Sequence, residues 1–380
     1  MLTIKKLSLL GVAAAAVGLL SVPVAQAETF SDTGAAVLVW PKIVVDEDTD
    51  TVIQITNQNS AQPSAAHCFY VNANSRCSNT GEACLTSDTC FDGVATGTCT
   101  PGWIEVNFDV ILTHDQPIAW SAATGLSNSD LPCPGGLGSI CSGNGGTRVP
   151  PVGETPFIGE LKCIQTNPIT RLPFACNDIG GNDCRNDLEG GATIENVADG
   201  SIDPQRYNAV GLRTAGQNNG DSTLVIGGPQ QQAEYQPCSE VLVFNHLFDG
   251  AIDPISNAAE ATSELTLVPC TENFLQQAVP SVTAQFLVYN EFEQRFSTSR
   301  LVRCLLDSPI SNIDTTQSSR SIFSAGVSGT VAGQTRITGV GGGLIGSATL
   351  TFEGETASAG SAYNLNQFAD RDEADIITIP

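Results

Sequence analysis

The chain has 380 residues and a formal net charge of −24, with 40 Asp and Glu against 16 Lys and Arg. So acidic a surface repels the phosphates of nucleic acid and the headgroups of anionic lipid, which excludes both as partners on charge grounds. The length is ample for a large core in one or two domains, and 13 cysteines make the redox compartment the first question.

The N-terminus answers it. Lys5 and Lys6 lead into an apolar run over 7–24 that ends at Ala25-Gln26-Ala27, small residues where signal peptidase reads its site. Residues 1–27 are therefore expected to be a secretory signal peptide, and every cysteine lies beyond it, in an oxidising compartment where thiols pair. The remaining 353 residues keep all 40 acids but only 14 basic residues, with Lys42 and Lys162 as the only lysines. No later apolar run approaches the ~20 residues of a membrane helix, and residue 28 is Glu, not a lipid-accepting Cys. The expectation is an exported protein, periplasmic, cell-surface or extracellular, with no integral membrane span.

Short Val-, Ile- and Thr-rich runs divided by Gly, Pro, Asn and Asp then predict an all-β chain. Strands are expected over 36–40, 43–45, 52–56 and 67–71, with an acidic turn at 46–50 and an Asn/Ser-rich turn at 57–64. Consecutive strands of this kind read as one antiparallel sheet, and the lengths predict one or two immunoglobulin-like β-sandwich domains with disulfide-rich loop inserts. Asp46, Asp48 and Asp50 offer hard oxygen ligands, so calcium is the one metal the sequence raises, although no EF-hand spacing accompanies them.

Residues 74–101 form a Cys-rich insert. Cys77, Cys84, Cys90 and Cys99 fall in a stretch rich in Ser, Thr, Gly and Asp with almost nothing apolar to bury, so disulfides must hold it. The run from Arg76 through Gly81-Glu82-Ala83-Cys84 to Ser87-Asp88-Thr89-Cys90 resembles the short disulfide-rich modules of secreted and surface β-sandwich proteins of Gram-negative bacteria. The resemblance covers about residues 76–100, implies an oxidised knot decorating a larger framework, and brings no catalytic residues. Four cysteines allow three pairings, which the sequence leaves open.

The cleanest strand follows at Ile104–Leu112, with Ile104, Val106, Phe108, Val110 and Leu112 on one face. A Gly/Pro-rich stretch at 131–156 is the expected linker between an N-terminal sandwich, 28–130, and a C-terminal β-rich domain, 157–380; a long loop within one sandwich is the alternative, since the stretch carries its own close pair, Cys133 and Cys141. Cys176 and Cys184 flank a polar loop and suit a local disulfide, while Cys163, Cys238, Cys270 and Cys304 lie in or beside strands and suit bridges between them. Thirteen is odd, and Cys68, beside Phe69, is read as the buried free thiol. Further strands are expected over 224–226, 241–244, 265–268, 282–289 and 348–352.

Motifs for chemistry fail on context. Gly341, Gly343 and Gly346 have dinucleotide-loop spacing, but a strand pattern follows where a helix is needed, so a hairpin or edge segment is expected. His67, His114 and His246 lie in or beside apolar segments, and His114-Asp115 are neighbours that an extended chain points apart. No serine-hydrolase elbow, zincin or P-loop pattern occurs, so no catalytic residue and no resident cofactor is assigned. The function expected is a non-enzymatic structural or binding protein of the cell surface, extracellular matrix or periplasm, meeting a protein or carbohydrate surface ligand or its own copies. Alternatives are a calcium-dependent carbohydrate- or protein-binding adhesin and a secreted hydrolase with paired carboxylates.

Overall fold

Strand runs that alternate in burial, joined by Asx and Gly turns, leave no room for helix packing, and the computed structural model is all-β. It describes residues 33–73, 75–80, 90–91, 93–100, 102–127, 147–176, 184–196, 204–229, 232–257, 259–314, 321–353 and 358–380. Residues 1–27, where a signal peptide is expected, and Cys84, Cys133 and Cys141 lie outside the described residues. Among the described residues, the α-helical content is one turn, Ala325–Ser328.

Five principal sheets are arranged as a five-bladed β-propeller, which overturns the immunoglobulin-like sandwich. The first orders Val210–Leu212, Val37–Val45, Phe157–Thr166, Ser64–Asn72 and Ile104–Leu112; the second orders Gln205–Asn208, Leu188–Asn196, Thr49–Asn57 and Pro117–Ser121. Thr223–Ile226, Asp375–Thr378 and Glu272–Asn273 make the third. Arg295–Arg303, Ser281–Asn290, Ala332–Val340, Ser239–Leu247 and Asn366–Asp370 make the fourth, and Ala251–Ile252, Glu260–Pro269, Leu344–Glu353 and Ser358–Asn364 the fifth. Alternation reports that a strand has one buried face; it does not say which sheet receives it, and that is where the expectation failed.

The opening strands show the difference. Val37–Val45 and Ser64–Asn72 both pair with Phe157–Thr166, whereas Thr49–Asn57 pairs with Leu188–Asn196 in the next sheet. Strands from both sides of 131–156 therefore share the first two sheets, and the stretch does not divide two self-contained sets of strands. The glycines at 341–343 turn the chain from the fourth sheet into the fifth, so they are a crossover and not a hairpin; Gly341 has φ 86°, a conformation that costs glycine little.

Sheet faces bury against neighbouring blades. Trp40, Ile53, Ile55, Tyr70, Phe108 and Trp120 belong to the core shared by the first and second sheets. Phe244, Leu265, Phe286, Val288 and Ile337 belong to the core shared by the fourth and fifth. A third cluster, with Val39, Phe69, Val268, Phe274 and Ile377, gathers the other face of the first sheet onto the third and fifth.

Four disulfides are seen among the described residues: Cys68–Cys163, Cys77–Cys90, Cys176–Cys184 and Cys238–Cys270. Cys99 is disulfide-bonded as well. Two expectations are corrected. Cys68 is not free, because Ser64–Asn72 sets it directly opposite Cys163 with Cα atoms 4.0 Å apart. The free thiol is Cys304, buried and not bridged.

Candidate functional site

A strand running through the interior must place alternate side chains on opposite faces, and Phe157–Thr166 does so with charges on one of them. Leu161 and Cys163 enter the core toward the second sheet, while Glu160 and Lys162 share the opposite face, toward Glu272 of the third sheet. Lys162 Nζ donates to Glu160 Oε1 at 2.8 Å, to Glu272 Oε2 at 2.9 Å and to the Pro269 carbonyl at 3.1 Å. Trp103 Nε1 donates to the other Glu272 oxygen, Oε1, at 3.0 Å. The three charged side chains are 0–1% exposed, and Phe69, opposite Lys162 in the ladder, stacks on Phe274 at 3.9 Å between ring centroids.

Two carboxylates and one ammonium do not balance in a site closed to bulk solvent. Glu160 Oε2 has no donor facing it. Burial pushes the Glu160 carboxyl up to about 8, an effect that Lys162 opposes and Glu272, within hydrogen-bonding reach, reinforces. Glu160 therefore keeps a proton at neutral pH, and the site holds one acid, one carboxylate and one ammonium. Burial pulls the Lys162 ammonium down, but Glu160 and Glu272 outweigh it and hold the pKa above the ordinary value. The Cys304 thiol is pushed well up, by burial first and then by the same two glutamates, so it stays protonated and inert.

The other lysine makes a second buried triad. A bulge between Trp40 and Ile43 turns Lys42 out of the strand's alternation, and its Nζ meets Glu264 Oε2 at 2.8 Å and Asp307 Oδ1 at 3.1 Å. This one is more open, since Glu264 is 39% exposed. Lys42 and Lys162 are thus both internal ties from the first sheet.

Asp46, Asp48 and Asp50 do not bring three ligand atoms within 4.8 Å of one another. Asp46 Oδ1 accepts from the backbone N–H groups of Asp48 and Thr49, and Asp50 accepts from Thr51 N, Ser121 Oγ and Ala123 N. These carboxylates cap their own turn and pin the start of a loop, as Asx residues commonly do. Among the described residues, the cluster with three ligand atoms within 4.8 Å is Cys238, Cys270 and Asp375, and its two sulfurs are spent on a disulfide. The carboxylates of Glu373 and Asp375 are instead met by Arg371.

His67, not His114, faces a carboxylate: its Nδ1 lies 2.7 Å from Asp109 Oδ1 on the paired strand, and Arg171 takes the other Asp109 oxygen at 3.0 Å. His246 is buried against Phe244 and Phe248, its Nε2 2.8 Å from Thr335 Oγ1. Burial pulls its pKa down to about 4, with the Leu247 carbonyl resisting. A base lowered on folding stabilises above its unfolded value and loses that contribution as pH falls through the folded one. The native protein should therefore lose stability relative to a His246→Gln variant from about pH 6.5 to about pH 4, by up to about 1.4 kcal/mol per pH unit. Urea melts of both proteins across that range check it, and parallel pH profiles would contradict it.

An open surface among the described residues suits a ligand. The outer face of the fourth sheet forms a groove of about 720 Å³ lined by Gln285, Leu287, Ser297, Ser299, Arg336 and Thr338, and the Arg336 guanidinium sits 5.9 Å from the Tyr289 ring. Sequence reasoning missed both this face and the Lys162 site. The signal available for the latter was Glu160 two residues before one of two lysines, inside a run otherwise fit for the core. No protein-family model matches the chain, and no curated protein matches it.

Proposed function

We propose that the chain is an exported, non-enzymatic structural or binding component of the cell surface, extracellular matrix or periplasm. The observation that carries this reading is the set of disulfides: four bridges among the described residues fit an oxidising location, which the signal-like segment 1–27 would supply. The charged chemistry supports it as well. Glu160 and Glu272 meet around Lys162 at 0–1% exposure, where no substrate reaches them, and the more open Glu264 and Asp307 are both engaged by Lys42, unlike the free paired acids of a glycosidase. The groove on the fourth sheet, with its hydroxyls, amide and Arg336, is the surface that would meet a carbohydrate or protein ligand.

Fractionation and immunogold labelling of the producing cells test the reading. The expected result is a chain starting after Ala27 and found outside the cytoplasm. A cytoplasmic chain that retains residues 1–27 would overturn it. Release from the surface by a calcium chelator would replace it with the calcium-dependent adhesin.

A further inference from the structure

Lys162, Glu160 and Glu272 are arranged as reactants as much as an ion pair. The amine nitrogen lies 2.9 Å from Glu272 Oε2, while Glu272 Oε1 is held by Trp103 Nε1 at 3.0 Å. One carboxylate thus has an amine at one oxygen and a fixed N–H donor at the other. Glu160 touches the amine at 2.8 Å and lies within hydrogen-bonding reach of Glu272, and its second oxygen faces no donor. All three groups are shut away from water, which would otherwise compete with condensation and hydrolyse its product.

We infer that Lys162 and Glu272 become joined by an amide bond in the folded protein, formed by the chain itself with Glu160 as the proton carrier. Glu160, protonated at rest, passes its proton to Glu272 Oε2 and, now a carboxylate, takes one from the Lys162 ammonium, leaving a neutral amine. The nitrogen lone pair attacks Glu272 Cδ, and negative charge developing on Oε1 is met by the Trp103 N–H. Glu160 gives that proton to Oε2, which then carries two, and takes a proton back from the nitrogen. The Cδ–Oε2 bond breaks and water leaves. One C–N bond replaces one C–O bond, nothing is oxidised or reduced, and Glu160 ends as it began.

Two physical terms favour the step. Fixed contact between amine and carboxyl replaces an encounter, which is worth an effective concentration of about 10⁵–10⁸ M in well-oriented cases. Condensation also removes a buried positive and a buried negative charge, leaving a neutral amide beside a neutral acid, so the desolvation cost of the ion pair disappears. Lys42 does not share this arrangement, since its acceptor Glu264 stands open to solvent at 39% exposure.

The test is intact-mass spectrometry of the reduced, denatured protein once N-terminal sequencing has fixed its first residue. The expected mass is one water below that of the sequence. Tryptic digestion should leave the bond after Lys162 uncut and give a branched peptide joining it to the segment around Glu272. Glu160→Gln, of nearly equal volume, should restore the full mass and the cut. A native protein with the full sequence mass and a normal cut after Lys162 overturns the inference, whether or not the variant folds. A complete cross-link in Glu160→Gln would overturn the role given to Glu160.

Discussion

Lys162→Met is expected to lower stability by about 3–5 kcal/mol, the range found when one member of a buried ion pair is removed and its partner is left behind. Two glutamates with 0–1% exposed side chains would then face one another with no cation between them. Glu160 already keeps its proton up to about pH 8 against an ordinary value of 4.5. A group whose folded pKa lies above its unfolded one stabilises below the unfolded value and loses that as pH climbs through the folded one. Native stability should accordingly fall between about pH 4.5 and pH 8, and the variant, which lacks the Lys162 charge opposing the rise in the Glu160 pKa, should hold its Glu160 proton higher still, so that its deficit widens above about pH 8. Urea denaturation of both proteins at the two ends of that interval and about one pH unit above it measures this. Adding Glu160→Gln and Glu272→Gln to Lys162→Met should recover part of the loss, because the charges go while the volume stays. A single-variant loss under about 1 kcal/mol, flat with pH, would show that the triad contributes little.

The second large effect is expected from the disulfide that the sequence did not reveal. Cys68 and Cys163 are 95 residues apart, and Cys176 and Cys184 only 8. If a bridge acts mainly by limiting the unfolded chain, the long loop is worth about 4–5 kcal/mol and the short one about 2–3. Replacing Cys68 and Cys163 together by Ala should thus destabilise the protein by about 2 kcal/mol more than replacing Cys176 and Cys184. Chemical denaturation of the two double variants checks the order; equal losses would mean that chain entropy is not what these bridges contribute. Cys304→Ala should leave every bridge in place, since its thiol is unpaired.

The sequence carried the all-β character because alternation is a local property. Ile104–Leu112 pairs along its whole length with Ser64–Asn72, and Phe108, Val110 and Leu112 are buried as their spacing predicts, although Ile104 at the strand's outer end is 40% exposed. Val37–Val45 reads as two pieces because Pro41 and Lys42 interrupt the pattern; the structure resolves the break as a bulge within one strand. Blade order is a different matter. Nothing in the residues themselves says that Val37–Val45 pairs with a strand more than a hundred positions later, since register depends on the faces other strands offer.

The site was hidden for a related reason. Phe157–Thr166 does not look like an interior strand because Gly159, Glu160 and Lys162 break its apolar run, and charged residues ordinarily mark a solvated face. Here they face Glu272, which is remote in sequence and arrives through the third sheet. The free cysteine was misassigned on the same blindness: Cys68 and Cys304 both sit among apolar neighbours, and only strand pairing puts Cys163 opposite one of them.

A non-reduced peptide map of the protein taken from the producing cells tests the exported, covalently braced framework most directly. The expected map joins Cys68 to Cys163, Cys77 to Cys90, Cys176 to Cys184 and Cys238 to Cys270, and leaves Cys304 to react with an alkylating agent only after denaturation. Free, alkylatable thiols at those eight positions in the native protein would contradict both the oxidising compartment and the bracing built upon it.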